Sequence, residues 1–177
     1  MKGALFNVVQ DVVEAEFGPE AWDEAVTRAG VDGVYTSLGS YADDELAALV
    51  GALSEIARCS RDDVLVLAGR KGLAVLVARH ADLIEDLDGW RGVLRGLDGI
   101  IHPEVQKIYP DAEVPSFEVV RDDAVFQLVY RSSRNMCKLA EGLIVGLGEH
   151  FGVDLSVTQP SCAVRGDTRC LIEVAEP

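Results

Sequence analysis

In the stretch VYRSSRNMCKLAEG, Tyr130, Ser132 and Arg134 stand two residues apart: a phenol, a hydroxyl and a guanidinium, all able to donate hydrogen bonds. In extended backbone, residues i, i+2 and i+4 share a face, so the spacing predicts three donors converging on one anion. Arginine offers forked, charge-assisted bonds to carboxylate or phosphate, and the hydroxyls add shorter neutral ones. The same stretch also reads as a strand-to-helix junction in which Ser132 or Ser133 caps the helix, and both readings hold together.

A second candidate is His102, in GIIHPEVQKIYP, flanked by Ile100, Ile101 and Val105. A neutral imidazole among apolar neighbours suits a haem or metal ligand. It equally suits a partly buried histidine bonded to a backbone carbonyl, and local sequence alone favours that plainer role. A third candidate is the set Cys137, Cys162 and Cys170, a C-x7-C pair plus a remote cysteine. No fourth ligand is obvious, and each cysteine also reads as a small buried hydrophobe. Cys59 reads as structural, and His80 and His150, on charge-rich helices, are expected to face solvent.

The elements that must hold these residues change character along the chain. The first hundred residues have helical periodicity, with Leu5, Val8, Val9, Val12 and Val13 on one face ahead of Gly18-Pro19. YADDELAALVGALSEIARC starts on acidic residues that favour the positive end of a helix dipole. The next helix opens on a capping box, Ser60 and Asp63, then runs almost continuously apolar and is expected to be buried on more than one side. A further helix is interrupted by Gly99 and Pro103, placing His102 at a break or a helix start. After Pro110 the period shortens: SFEVVR and AVFQLVY predict a hairpin, a helix runs from about Arg134 to Phe151, and VDLSVTQ and RCLIEVA predict two more strands. The expectation is one α+β domain over residues 1–177, helical first, then an antiparallel sheet with an embedded helix.

Apolar residues make up 49% and charged residues 26%, as in an ordinary globular protein. The formal net charge of −14 argues against nucleic acid and anionic lipid as partners. The N-terminus lacks the apolar run of a signal peptide and no stretch reaches the length of a membrane span, so a cytoplasmic location with reduced or metal-bound thiols is expected.

Together the motifs MKGALFN, FGPEAWDE, YTSLGSYADDEL, IIHPEVQKIYPDAEVPSF and YRSSR resemble the H-NOX (haem–nitric oxide/oxygen binding) family, related to the haem domain of soluble guanylate cyclase, in order and spacing over essentially the whole chain. The resemblance implies haem b seated between the helical part and the sheet. It implies His102 as the iron ligand, Pro115 pressing on the macrocycle, and Tyr130, Ser132 and Arg134 clamping its propionates. Leu5, the Val64–Val77 helix and Leu143 or Ile144 are expected to line the pocket. Oxygen-binding members carry a distal tyrosine where this chain has Leu139, and a tryptophan of some members is Val9 here. The resemblance therefore implies a sensor, not an enzyme, that takes NO and CO and excludes oxygen. Its output would pass to a separate protein such as a histidine kinase or a cyclic-di-nucleotide enzyme.

Some members also hold zinc with a Cys in the last helix and an H-x-x-C…C hairpin. Cys137, Cys162 and Cys170 match three of those ligands, whereas the histidine is Gln159, so three thiolates plus water and no zinc at all both stay open. A haem-independent thiol switch on the same cysteines is the alternative function. A haem peroxidase is disfavoured because no distal acid–base pair is in place.

Overall fold

The computed structural model describes residues 1–176. Helix α1 (Gly3–Phe17) turns directly into α2 (Pro19–Ala29) at Gly18, whose φ of 89° suits glycine, and Pro19 opens α2 where its missing N–H is harmless. Helix α3 (Asp43–Ala57) begins on Asp43, Asp44 and Glu45. Helix α4 (Arg61–Arg79) starts on the expected capping box: Ser60 Oγ accepts the Asp63 N–H at 3.1 Å, and Asp63 Oδ2 accepts the Ser60 N–H at 2.9 Å.

Helix α5 (Gly89–Gly96) passes through a π-turn, Leu97–Ile101, into α6 (His102–Ile108). The expected break at Gly99 and Pro103 is thus a widening of the helix. His102 keeps helical dihedrals, φ −62° and ψ −40°, although a proline follows it. The antiparallel sheet comprises β1 (Ser116–Asp122), β2 (Phe126–Arg131), β3 (Ser156–Ser161) and β4 (Cys170–Ala175), in the order β1-β2-β4-β3. Helix α7 lies between β2 and β3 in the chain and spans Cys137–Phe151. It begins later than the predicted Arg134 because Asn135 takes φ 53°, a left-handed geometry that no helix propagates.

Two cores result. One lies among the first four helices, around Phe6, Val9, Trp22, Leu49 and Leu53. The other lies between the sheet and helices α5 and α7, around Trp90, Phe126, Leu128, Ile144 and Ile172. Phe6, absent from the predicted apolar face of α1, is fully buried and stacks on Tyr35 with centroids 4.1 Å apart. Helices α4 and α7 join the two cores, meeting backbone to backbone at Gly69, Gly142 and Gly146. No helix among the described residues is long and apolar enough to cross a membrane.

Candidate functional site

Between the two cores lies a cavity of about 620 Å³, within the roughly 300–1,000 Å³ range of small-molecule sites. Helix α1 lends it Leu5 and Val8, α4 lends Leu73, Leu76 and Val77, and α7 lends Leu139, Leu143, Ile144 and Leu147. The remaining wall includes Leu97, Ile101, His102, Val105, Pro115 and Phe117. Every position singled out for cofactor binding (Leu5, His102, Pro115, Tyr130, Ser132, Arg134, Leu139 and Leu143) lines this one cavity.

Two expectations need correction. Only the second half of the Val64–Val77 segment reaches the cavity. Val64 and Ala68, with Val9 and Cys59, instead line a small apolar pocket of about 30 Å³. His80 is not a solvated helix residue: it ends α4, half-buried, at the cavity wall. His150 does face solvent, packed edge-on to Phe151.

The His102 side chain is 14% exposed, and its Nδ1 lies 3.2 Å from Asp98 Oδ1. Burial pushes the imidazole pKa below its ordinary value, while Asp98 pulls the other way. A neutral ring with Nδ1–H donated to a carboxylate keeps a lone pair on Nε2, the form that ligates metal. Nε2 has no hydrogen-bond partner among the described residues. The ring sits 5.9 Å from that of Phe117, which packs edge-on to Tyr130 at 5.3 Å.

The Tyr130, Ser132 and Arg134 side chains converge, but not by strand alternation. Strand β2 ends at Arg131, and residues 132–136 form a turn in which Ser132 Oγ accepts the Arg134 N–H at 3.2 Å. The Arg134 guanidinium, 15% exposed, is already surrounded by oxygen acceptors. It donates to Asp43 Oδ2 at 2.9 Å, to the Glu113 carbonyl at 2.9 Å and to Glu113 Oε2 at 3.0 Å. Asp43 also accepts from the Met1 amine at 2.9 Å; that bond first, then Arg134, holds its carboxyl below the usual carboxylate range. Burial raises the Tyr130 phenol pKa, so it stays a protonated donor. The mouth therefore suits carboxylates chemically, and an incoming one would share Arg134 with Asp43 and Glu113, side chains 48% and 69% exposed. Apolar walls, the neutral imidazole of His102 and a guanidinium with two hydroxyls fit haem and its propionates.

The three cysteines also meet. Cys137, Cys162 and Cys170 are buried, with their sulfurs within 4.8 Å of one another and 3.4 Å between Cys137 and Cys162. Burial, then the Cys162 contact, pushes the Cys137 thiol up to about 12. Burial opposes ionisation of Cys162 too, yet hydrogen bonds from Cys137 and from the Val164 and Arg165 backbone bring it below the ordinary thiol value. Gln159 donates Nε2 to the Cys137 carbonyl at 3.0 Å, and its buried Oε1 has no partner among the described residues. Three clustered soft thiols fit zinc.

Sequence reasoning missed Asp98 and His80, and the carboxylates at Arg134. Asp98 was legible as the acid four residues before His102, one helical turn away. Asp43 and Glu113 reach Arg134 only through the tertiary fold.

A family model described as haem-NO-binding matches residues 2–159. The H-NOX protein of S. oneidensis in its Fe(II)NO ligation state is similar in structure, with a TM-score of 0.92 at 30% identity, covering 100% of this chain and 99% of that one. The unliganded Fe(II) H-NOX protein of K. algicida gives 0.89 at 31% identity, covering 100% and 97%. The H-NOX of Shewanella woodyi in its Fe(II)CO state gives 0.83 at 31%, covering 100% and 95%. Among curated proteins none matches the chain.

Proposed function

The chain belongs to the haem-NO-binding, or H-NOX, family, and on that premise we propose that it is a haem-based sensor selective for nitric oxide, passing its signal to a separate protein. The observation that carries this reading is the single apolar cavity in which His102 and the Tyr130, Ser132 and Arg134 group face a common space. Haem b, when bound, supplies an iron centre that takes NO or CO as a ligand. His102 would offer Nε2 to that centre, Tyr130, Ser132 and Arg134 would hold the propionates, and Pro115 would press on the macrocycle. Leu5, Leu139 and Leu143 keep water and hydrogen-bond donors from the gas side. That wall favours NO and CO over dioxygen, whose polar adduct depends more on a donor. Where a peroxidase needs an acid–base pair, α1 and α7 supply aliphatic side chains, which supports a sensor over an enzyme.

The signal we infer is the release of His102 from its ligand position, which frees α6 and the pressure from Pro115 to relax, a ligand biasing a two-state element. The receiver of that signal we read, on family grounds, as a histidine kinase or a cyclic-di-nucleotide enzyme. The visible spectrum of the ferrous protein with and without NO, beside a His102→Ala variant, tests the reading. The expected result is an intense haem band that shifts with NO, is indifferent to air, and loses its His102-dependent form in the variant. A protein that takes up no haem overturns it.

The cysteine cluster supports a second metal in the same chain, zinc held by Cys137, Cys162 and Cys170 with Gln159 Oε1 or water as the fourth ligand. A Gln159→His variant is expected to hold zinc about tenfold or more tightly, since imidazole is the stronger donor; competition against a chromophoric chelator measures it. Equal affinity in both proteins would place residue 159 outside the ligand set. If the wild type binds no zinc and the thiols oxidise reversibly, the haem-independent switch becomes the better account of this cluster.

A further inference from the structure

Asp98 lies in the π-turn, one helical turn before His102, and its two carboxylate oxygens reach different elements. Oδ1 lies 3.2 Å from His102 Nδ1, and Oδ2 accepts the Phe117 backbone N–H at 2.8 Å. Phe117 is the second residue of β1, two after Pro115, and it pairs across the ladder with Tyr130. One side chain thus touches the imidazole, the edge strand that follows Pro115, and, through Phe117, the strand that ends at the clamp.

We propose that Asp98 is the positioning residue for His102 and the tie that makes movement of His102 and of the start of β1 a single event. The proposal rests on the reading of His102 as the iron ligand. A carboxylate on Nδ1 fixes the tautomer, so that the Nε2 lone pair is the one offered to the cavity. It also fixes the ring about its Cβ–Cγ axis, which the aliphatic neighbours of His102 cannot do. The second oxygen satisfies an N–H that β1, at the sheet edge, would otherwise present to solvent. When His102 shifts, Asp98 must either carry Phe117 along or give up one of its two bonds. Release at the imidazole is thereby registered at the start of β1. The Asp98 side chain is 42% exposed, so a partner protein has access to this junction.

Asp98→Asn is the test, read in the haem-loaded ferrous protein by resonance Raman and by amide hydrogen exchange. An amide oxygen is a weaker acceptor than a carboxylate, and an amide nitrogen turned toward Phe117 offers no acceptor at all. The expected results are an iron–histidine stretching band displaced to lower frequency, and Phe117 amide exchange faster by about tenfold or more, the loss of one hydrogen bond to a charged acceptor. Asp98→Glu, which keeps the charge on a longer arm, should return the band toward its wild-type position. Should Asp98→Asn fail to load haem, Asp98→Ser reads the same two quantities. A band unmoved in the variant overturns the positioning role, and exchange unchanged at Phe117 overturns the tie. A wild-type protein with no iron–histidine band would instead overturn the reading of His102, and this proposal with it.

Discussion

Replacing Gly142 with alanine will lower the midpoint of thermal unfolding by about 5–10 °C, on the scale of roughly 2–3 kcal/mol of overpacking in a chain of this size. A Cβ at position 142 would lie 2.2 Å from the Val66 carbonyl oxygen and 2.9 Å from its Cα. Both are backbone atoms of α4, so no rotamer change relieves the clash and the helices must separate. Gly69 and Gly146 make the crossing equally close, with added Cβ atoms 2.3 Å from the Leu139 oxygen and 2.4 Å from the Arg70 oxygen. Separation would not stay local. Leu73 and Leu76 of α4 and Leu139 and Leu143 of α7 flank this contact and line the cavity, so haem uptake should fall along with stability. Differential scanning calorimetry and a haem titration check both. Gly99, where an added Cβ meets nothing within 4 Å, supplies the control, and Gly99→Ala should move the midpoint by no more than a degree or two. A Gly142→Ala protein as stable as that control would show that the crossing yields.

This crossing also marks where sequence reading stopped. The α+β order, the Ser60–Asp63 capping box and the two hairpins follow from local chemistry, and each stands near its expected place, although β3 begins three residues later than VDLSVTQ does. The eight cavity residues were identifiable because motif spacing is preserved through the chain. Strand alternation does not account for the convergence of Ser132 and Arg134, because β2 ends at Arg131 and the chain turns there, which no period of apolar residues announces. Gly69, Gly142 and Gly146 look like ordinary breaks in helical propensity until the partner backbone is in place. His80 was misread for the same reason: a histidine at a charged helix end looks solvated, and only the fold places it at the cavity wall. The cysteines lie 25 and 8 residues apart in sequence, and the fold alone brings their sulfurs together.

Leu139→Tyr will give the ferrous protein a stable oxygen complex in air that the wild type lacks. Leu139 lies early in α7, half-buried, and lines the cavity with Leu5, Val8, Leu73, Leu76, Val77 and Leu143. None of these carries a hydrogen-bond donor. A phenol at position 139 places one donor in a low-dielectric wall, where a hydrogen bond to a strongly polarised acceptor contributes about 1.5–3 kcal/mol, or roughly 10–100-fold in oxygen dissociation rate. NO and CO, less polarised when bound, should lose or gain no more than a few-fold. The Leu139 side chain lines the cavity, so the substitution changes the cavity wall, whereas at Gly142 an added Cβ meets the Val66 backbone. Visible spectra of reduced protein before and after exposure to air, with stopped-flow dissociation rates, measure the change. His80 supplies the sharpest control, since it is the donor that ends α4 at the cavity wall. If the wild type itself holds oxygen and His80→Ala abolishes that, the selectivity assigned to Leu139 is wrong and His80 is the residue that sets it.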